Sequence, residues 1–550
     1  MIRQWFKSGT PWIWLNAGAI SIALVAVFGL LLLILVRGMS HFWPADVDAF
    51  HFASTSKLTI IAETIESEIV PANAIPGLKD VSGNVTRHLV KTGNRDILGS
   101  DFRWIIDTGQ SDGGLQRREQ PEDIMVLERI EWGNFYGYLQ GVYEQGQLIA
   151  SGPEAWSQFK QRLDRVKALR VQIHQLEQGE IGSINYQLER LRLKERRLQM
   201  EDALNPEVIE ELTQTRQQLQ QDYETLLKQT NALYQQINRD SIRANVMDGS
   251  EVTIALEKIV KAWQPNKMSV LDKIAFYFGA LWGFVTENPR EANTEGGIFP
   301  AIFGTVMMVI LMAVMVTPFG VIAAVYLREY ADQGVINRIV RIAVNNLAGV
   351  PSIVYGVFGL GFFVYFLGGQ IDALFYPEAL PAPTFGTPGL LWSSLTLALL
   401  TLPVVIVATE EGLSRVPTSL REGSLALGAT KIETLWRVVL PMASPAIMTG
   451  LILAVARAAG EVAPLMLVGV VKLAPSLPLD GNMPFLHLDR KFMHLGFHIY
   501  DVGFQSPNVE AARPLVYATS FLLVVVIVAL NLSAISLRNK LREKYRALDN

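Results

Sequence analysis

Residues 415–441 read RVPTSLREGSLALGATKIETLWRVVLP and form a polar loop between strongly apolar segments. Gly428 stands where the C-terminus of a helix favours a left-handed residue. Thr430 and Glu433 have the spacing of a capping box, which opens a second helix. Pro441 is expected to end that helix, because it cannot donate a backbone hydrogen bond. The stretch therefore predicts two short helices that are joined at a glycine and tethered on both sides.

Both predicted helices carry a narrow apolar stripe. Pro417 suits the first position of the first helix, since its missing N–H has no intrahelical partner there. The stripe of this helix consists of Val416, Leu420, Gly423 and Leu427. The stripe of the second helix consists of Ile432, Leu435, Trp436 and Val439. Another protein could bind these two helices, although the periodicity alone favours an ordinary amphipathic interfacial loop.

The spacing of this loop resembles the coupling loop in the membrane subunits of ABC importers. Their pattern is E-A-A, three residues, Gly, nine residues and I-x-L-P. Every spacing is kept here by Glu422, Gly423, Ser424, Gly428, Leu440 and Pro441. Gly423 and Ser424 replace the two alanines, and Val438 replaces the isoleucine. The resemblance implies that these six residues couple the chain to a cytoplasmic ATPase, and residues 415–441 are called the coupling loop below.

Composition sets the broad class of the protein. Half of the 550 residues are hydrophobic and unevenly spread, which predicts a membrane protein with a large polar part. The net charge of −4 gives no reason to expect nucleic acid as a partner. The absence of cysteine excludes disulfides, thiolate metal sites and cysteine nucleophiles.

Hydropathy predicts six membrane helices. Residues 13–36 form an uncleaved anchor after a cytoplasmic tail of residues 1–12, and residues 37–297 form a periplasmic insert. Residues 298–537 hold a permease core of five helices, and residues 538–550 a basic cytoplasmic tail. The five core helices are predicted at about Phe299–Leu327, Ile342–Leu367, Leu390–Ala408, Ala446–Val471 and Leu515–Leu537.

The distribution of positive charge orients these helices. Arg3 and Lys7 precede the anchor, whereas the outer loop from Gly368 to Gly389 has no Lys or Arg. The segments predicted to face the cytoplasm contain Arg328, Arg338, Arg341, Arg415, Arg421, Lys431, Arg437, Arg538, Lys540, Arg542, Lys544 and Arg546. Because cytoplasmic loops carry the excess of Lys and Arg, both termini and the coupling loop are expected in the cytoplasm.

The insert is predicted to be α+β. Its expected strands include Lys57–Ile65, Ile124–Ile130 and Val252–Ile259. Residues from about 154 to 243 repeat leucine every seven positions, and the helix restart at Asn205-Pro206 favours an antiparallel coiled-coil hairpin over a parallel dimer. The apolar stretch Ile274–Val285 is too short to cross a bilayer, and we expect it to lie at the membrane interface.

Arg457 and Glu461 are the strongest candidates for the substrate pathway. They lie four residues apart inside the predicted Ala446–Val471 helix, where each charge costs about 2.5–3.5 kcal/mol unless it is paired or faces water. Pro351 and Ser352 crowd one end of another predicted helix, and broken helices at membrane depth favour a pathway. A purely structural ion pair is the alternative.

Two segments resemble the phosphate ABC importer permeases, namely LAGVPSIVYG at Leu347–Gly356 and ARAAGEVAPL at Ala456–Leu465. Ala463-Pro464 after Glu461, with a long outer loop before the last helix, resembles the PstA branch rather than the PstC branch. The resemblance runs from about Gly296 to the C-terminus and omits the insert. The predicted fold class is therefore mainly α, a type I permease core with an α+β insert.

The same resemblance implies a function and a set of partners. The chain is expected to form half of the path for inorganic phosphate in the bacterial inner membrane. Its expected partners are a PstC-like second permease, a PstB-like ATPase dimer that binds the ATP, and a periplasmic phosphate-binding protein. A phosphate-signalling regulator is a further partner that the resemblance allows.

No catalytic, cofactor or metal site is expected in the chain itself. Gly428-Ala-Thr-Lys431 lacks the spacing of a nucleotide-binding phosphate loop, so ATP hydrolysis is assigned to the partner. His487, His494 and His498 have no carboxylate at a fixed helical spacing, which argues against a metal site.

Two alternatives stay open on the sequence. Within the same class, the chain could be a PstC-type permease or carry another oxyanion. From another class, residues 1–260 also fit a periplasmic adaptor of an efflux system, with one anchor, strands and a coiled-coil hairpin. The later membrane helices and the coupling loop argue against this second alternative.

Overall fold

A computed structural model describes residues 8–52, 59–75, 83–107, 115–332, 334–506 and 509–546. The chain divides into two units. The membrane unit joins the N-terminal helix, up to His41, to the chain from Ile298 onwards, apart from Gly481–Met483, which group with Phe42–Gly297 in the insert unit. Four residues used in the sequence predictions lie outside the described residues, namely Arg3, Lys7, Lys57 and Leu58.

Six helices among the described residues are long and apolar enough to cross a membrane. They are Pro11–Ser40, Phe299–Tyr330, Ser352–Phe375, Leu390–Arg415, Lys431–Gly460 and Ala512–Lys540. The shortest has 24 residues, and a crossing needs about 20. The predicted mainly α fold with six membrane helices is confirmed.

The third membrane helix starts later than predicted. The predicted helix Ile342–Leu367 joins parts of two elements, an amphipathic helix at Val335–Leu347 and the membrane helix Ser352–Phe375. Pro351 lies between them. A proline disfavours helical backbone at the preceding residue and donates no backbone hydrogen bond, so the two helices stay separate.

The fifth membrane helix starts within the coupling loop. It runs from Lys431 to Gly460, so the predicted limits Ala446–Val471 and the predicted helix end at Pro441 are both wrong. The turn Leu435–Val439, just before this proline, is π-helical. A wider turn of this kind accommodates a proline ring that a regular helix interior would exclude. The second half of the coupling loop is therefore the start of a membrane helix.

Antiparallel sheets form the framework of the insert. The strands of the two large sheets are β1 (Val47–Phe52), β2 (Thr59–Pro71), β3 (Asn84–Lys91), β4 (Phe102–Asp107), β5 (Leu115–Glu119), β6 (Ile124–Arg129), β7 (Asn134–Glu144), β8 (Gln147–Ser151), β9 (Asp240–Asn245), β10 (Glu251–Ala255) and β11 (Ile259–Trp263). One sheet has the order β4-β3-β2-β1-β5, and the other has the order β10-β9-β7-β6-β11 with β8 on β7. Strands and helices in one unit confirm the α+β prediction.

Two helical arms project from the second sheet as an antiparallel pair. Their segments are Ala155–His174, Gln175–Ile181, Gly182–Met200 and Pro206–Ile237. The Tyr234 hydroxyl donates to Glu177 at 2.8 Å, and Arg216 pairs with Glu195 further along the arms. The predicted end of the hairpin at residue 243 is wrong, because Asp240–Asn245 pairs in the sheet as β9.

The base of this hairpin belongs to the core of the insert. Phe159 and Leu163 of the first arm are buried among residues of the second sheet. The fully buried carboxylate of Asp240 pairs with Arg162 at 2.8 Å and with Arg165 at 2.6 Å. A buried charge needs such partners, so the base of the hairpin and β9 hold each other in place.

The distal part of the hairpin is expected to be dispensable for folding. A short Gly/Ser linker in place of Gln178–Ala232 joins arms that already meet at Glu177 and Tyr234, and the core residues stay. Deleting Glu154–Arg243 instead removes Phe159, Leu163 and most of β9, so the insert should not fold. Limited proteolysis of the full chain in nanodiscs measures both outcomes. Rapid cleavage of the distal variant within the sheets would contradict this division.

Glu295 is a buried carboxyl in the insert. It lies on a two-residue strand that pairs with Pro289–Arg290. Its pKa is raised from 4.5 to about 7, mainly by burial and also by Glu291 and Glu128, while Lys91 acts in the opposite direction. The folded insert therefore keeps a proton that the unfolded chain releases between about pH 4.5 and pH 7.

This proton makes the stability of the insert depend on pH. A carboxyl with a raised folded pKa loses stability as pH rises through that window. Glu295→Gln should stabilise the insert at pH 7.5 by up to a few kcal/mol and leave it unchanged at pH 4. Urea unfolding of the full chain, followed by tryptophan fluorescence, measures the difference. The exposed Glu224→Gln is the matched control, and an equal effect of both substitutions would refute the assignment.

Candidate functional site

The first helix of the coupling loop, Thr418–Ala426, ends at a left-handed glycine. Gly428 has a φ of 89°, which residues with a Cβ rarely adopt. Its N–H donates to the carbonyl of Leu425 at 2.9 Å, and the N–H of Ala429 donates to Ser424 at 3.2 Å. These bonds satisfy carbonyls at the helix end, so the glycine fixes the sharp turn between the two halves of the loop.

The predicted capping box opens the second half and is confirmed. The Thr430 N–H donates to the Glu433 carboxylate at 2.9 Å, and the Glu433 N–H donates to the Thr430 hydroxyl at 3.3 Å. The hydroxyls of Ser424 and Thr434 lie 2.9 Å apart and join the first helix to the second. The loop is therefore a braced corner.

Glu329, at the end of the Phe299–Tyr330 membrane helix, anchors this corner. Its carboxylate pairs with Arg421 at 2.5 Å, and its carbonyl accepts from Lys431 at 2.5 Å. Arg421 also donates to the carbonyl of Leu413, at the end of the preceding membrane helix. Three membrane helices thus meet at the loop, since Lys431 itself begins the fifth.

Apolar side chains of the loop divide into an inner and an outer set. Val416, Leu435 and Val439 are buried in a small core with other residues of the membrane unit. The outer set is exposed and consists of Leu420, Leu425, Leu427, Ile432 and Trp436. Leu427 is 91% exposed and Trp436 is 74% exposed, so neither side chain belongs to the core of the membrane unit. The predicted single stripes are therefore split between core and surface.

The six predicted coupling residues fall into the same two groups. Glu422, Gly423 and Gly428 are exposed. Ser424 turns inward to Thr434, and Leu440 and Pro441 are half-buried in the membrane helix. Only the first group is available to a partner, and the second group braces the loop.

Arg457 and Glu461 lie at a helix end rather than inside a helix. The helix stops at Gly460, and Glu461 has extended backbone. Apolar residues continue to Val471, which explains the longer prediction, but Pro464 interrupts them and leaves only a short helix at Leu465–Val468. The Arg457 Nε and the Glu461 carboxylate still lie 3.6 Å apart, with 33% and 21% of their side chains exposed.

The helix that starts at Ser352 lies beside this ion pair. Pro351 occupies its N-cap position. A Cβ on Gly356 would lie 2.7 Å from the Cα of Pro464, so the two segments are in close contact. Tyr355 lies within electrostatic range of Arg457 and donates its hydroxyl to the carbonyl of Leu347 at 2.5 Å.

Tyr355 and Gly356 were missed as site residues by the sequence reasoning. Their signal was their position three and four residues after Ser352, which places them on the face of the helix nearest to it. Both belong to the segment LAGVPSIVYG quoted above. The segment was therefore identified, but these two residues of it, which lie beside the ion pair, were not.

The three histidines of the outer loop, His487, His494 and His498, are buried. Burial lowers the pKa of His494 to about 3, and its Nδ1 accepts from the Gly496 N–H at 3.1 Å. His487 bonds to Asp480 at 2.9 Å. Within the described ranges, no group of three His, Cys, Asp or Glu side chains is arranged to hold a metal ion.

Comparison with known proteins decides the family. Residues 316–546 match the family model of the binding-protein-dependent transport system inner membrane component. The phosphate transport system permease protein PstA of Mycobacterium leprae is 37% identical over 225 residues, which are 40% of this chain and 68% of that relative.

The chain belongs to this permease family.

The family confirms the predicted type of core and the coarse function, a membrane permease subunit of an ABC importer. The match lies on the core, so the efflux-adaptor alternative, which rested on residues 1–260, is not supported. The permease is also 31% identical to the phosphate transport system permease protein PstC of Xylella fastidiosa, over 40% of this chain and 68% of the relative. An inward-facing structure of the MetNI methionine ABC transporter aligns with 48% of this chain and 98% of its own at 18% identity, with a TM-score of 0.34.

Two glycines of the coupling loop give opposite predictions for the same substitution. A Cβ meets nothing within 4 Å at either Gly423 or Gly428, and only Gly428 has a positive φ. Gly423→Ala should stabilise the first helix by up to about 1 kcal/mol. Gly428→Ala should destabilise the corner by a similar amount, because of strain. Hydrogen exchange of the Thr418–Ala426 amides should slow in the first variant and quicken in the second, and changes of equal sign would contradict the assigned backbone geometry.

Proposed function

We propose that this permease is the PstA-type subunit of an importer of inorganic phosphate. The observation that carries the proposal is the Arg457–Glu461 pair at a helix end, partly exposed and beside the Ser352 helix. Relatives named for phosphate transport support the choice of ion. Pro351 and Ser352 are proposed to line the same path, with Tyr355 between them and Arg457.

The ion pair suits phosphate chemically. A guanidinium offers planar donors that match the oxygens of a tetrahedral oxyanion. Phosphate near neutral pH still carries at least one O–H, which the Glu461 carboxylate accepts. Sulfate carries none, so it would leave that carboxylate facing only negative charge. Arg457 therefore attracts the ion, and Glu461 discriminates by the ligand's proton rather than by its size.

The coupling loop is proposed to bind a cytoplasmic ATPase dimer of the PstB type. Its exposed residues Glu422, Leu427 and Trp436 supply the contact surface. Motion of this surface reaches the ion pair through one helix, since Lys431 and Arg457 lie on the same membrane helix, about 39 Å apart at 1.5 Å per residue. ATP is bound and hydrolysed by the partner, and the permease itself is not an enzyme and holds no cofactor.

The assembly follows from the same proposal. A PstC-like second permease completes the path, and a periplasmic phosphate-binding protein delivers the ion. Both termini and the coupling loop face the cytoplasm, and the insert faces the periplasm. The reason is that Lys and Arg are concentrated in the coupling loop and after the last membrane helix, whereas the outer loop from Gly368 to Gly389 has none. A PstC-type role for this chain is the second candidate, supported by the 31% identical PstC relative.

Substitution of the ion pair tests the phosphate proposal. Arg457→Ala should abolish uptake into vesicles that contain the complete complex, while the chain still inserts and assembles. Glu461→Gln should keep uptake and lower the preference for phosphate over sulfate by about tenfold or more, because the amide lacks the negative charge that repels sulfate and adds an N–H donor that sulfate can accept.

The conservative control is Arg457→Lys, which keeps the charge without the planar fork and should reduce the rate of uptake. Unchanged rate and unchanged selectivity in both Arg457→Lys and Glu461→Gln would make the pair structural and place the selective site elsewhere.

A further inference from the structure

A cleft of about 420 Å³ opens in the membrane unit beside the coupling loop. Three helices form its walls, namely Val335–Leu347 with the residue that follows it, Leu390–Arg415 and Leu440–Gly460. Most of the lining is apolar and includes Pro403, Val407 and Leu453. A concave apolar site with a few convergent polar groups is the usual form of a small-ligand site.

Four polar side chains line this cleft, namely Asn345, Glu411, Arg415 and Thr449. The Arg415 guanidinium and the Glu411 carboxylate lie 3.7 Å apart, and both are more than half exposed. Such an exposed pair is weak, so a ligand that offers better contacts can separate it. The Thr449 hydroxyl donates to the carbonyl of Pro445 at 2.8 Å, which leaves its oxygen as an acceptor.

The pair in the cleft repeats the chemistry of the proposed selectivity site. Glu411 and Arg415 lie four residues apart, as do Arg457 and Glu461, and the two pairs have separations of 3.7 and 3.6 Å. Each combines a planar cation with a carboxylate that accepts a proton from the ligand. A fully deprotonated oxyanion has no proton to share with the carboxylate at either place, so the repulsion by that carboxylate weakens its attraction to the cation.

One face of a single helix leads from the cleft to the other pair. Thr449, Leu453 and Arg457 are spaced at i, i+4 and i+8, so they follow one another on the Leu440–Gly460 helix. Thr449 lies about 12 Å from Arg457 along the axis. An ion that leaves Arg457 along this face reaches the cleft next.

We propose that this cleft is a second subsite for a protonated tetrahedral oxyanion, at the coupling-loop end of the path. Arg415 and Asn345 donate to the oxygens of the ligand, and Glu411 and Thr449 accept its protons. The inference rests on the proposed phosphate function and adds a site to it. The exposed pair keeps binding weak, which suits a site from which the ion is released.

A phosphate group has two sources near a membrane, the free ion and a lipid headgroup. Both share the tetrahedral oxyanion that Arg415 would bind. Nanodiscs of phosphatidylcholine without added phosphate, with added phosphate, and with phosphatidic acid separate the two sources.

The cysteine-free chain permits a direct test. Thr449→Cys places a single thiol in the cleft, and a membrane-impermeant methanethiosulfonate reports its accessibility in the full chain in nanodiscs. Phosphate should slow modification by about fivefold at about four times its dissociation constant. Sulfate at equal ionic strength should slow it much less. Leu453→Cys is a second reporter should Thr449→Cys fail to fold.

Two controls sharpen this test. Leu427→Cys lies on the exposed surface outside the cleft, so phosphate should not change the rate at which its thiol is modified. Adding Arg415→Gln to Thr449→Cys should remove the protection, because the ligand loses its charged donor.

Three results would overturn the inference, namely no protection by phosphate, equal protection by sulfate, and protection that survives Arg415→Gln. Protection by phosphatidic acid alone, without any effect of free phosphate, would also overturn it. Phosphate uptake by the unmodified complex is measured in parallel. Normal uptake with an unprotected thiol refutes only this subsite, whereas absence of phosphate uptake refutes the proposed function.

Discussion

One unbroken helix, Lys431–Gly460, is the constraint on which the membrane unit depends. It starts at a capping box in the coupling loop and ends at the Arg457–Glu461 pair. Inside a bilayer every backbone group needs an internal partner, so a helix is a stiff element that transmits displacement along its axis. The turn at Gly428 and the hydrogen bonds and ion pair around Glu329 fix where this helix begins. Their positions therefore set the position of the whole helix.

Glu329 shows how the membrane helices are tied together at one end. Its carboxylate pairs with Arg421 of the coupling loop, and its backbone carbonyl accepts a hydrogen bond from Lys431 of the same loop. Nearby, Arg341 donates to the carbonyl of Leu327 and pairs with Glu410 at 3.3 Å. Carbonyls at a helix end have no intrahelical partner, so basic side chains satisfy them and join neighbouring helices at the same time.

The sequence predicted the elements with strong local signals. Six apolar windows gave the number of membrane helices, and the spacing of Thr430 and Glu433 gave the capping box. Helix ends inside apolar sequence were predicted badly. Hydropathy does not change at Gly460, where the helix stops, and the helix continues through Pro441, where the proline predicted an end. The two prolines had different effects. The helix continues through Pro441, because the π-helical turn before it accommodates the ring, whereas at Pro464 the chain turns and no long helix forms.

The candidate site was predicted only in part for a related reason. The charges of Arg457 and Glu461 are conspicuous in an apolar segment, so they were found. Tyr355 contributes through its position beside them, which depends on the close contact between Gly356 and Pro464. Contacts between segments a hundred residues apart leave no periodic trace in one sequence. Similarly, the exposure of Leu427 and Trp436 depends on which way the corner turns.

The two ends of the insert meet at one place within that unit. Phe42, its first residue, packs on Phe284 with ring centroids 5.0 Å apart, and a Cβ on Gly297, its last residue, would lie 2.7 Å from the carbonyl oxygen of Gly283. Adjacent residues of one helix therefore hold both ends. A segment with joined ends can be gained or lost in evolution without changing the distance that the flanking chain must span, because the entropy of closing the excursion grows only slowly with its length. The insert therefore behaves as a separate addition to the chain, and its length places little constraint on the membrane helices that precede and follow it.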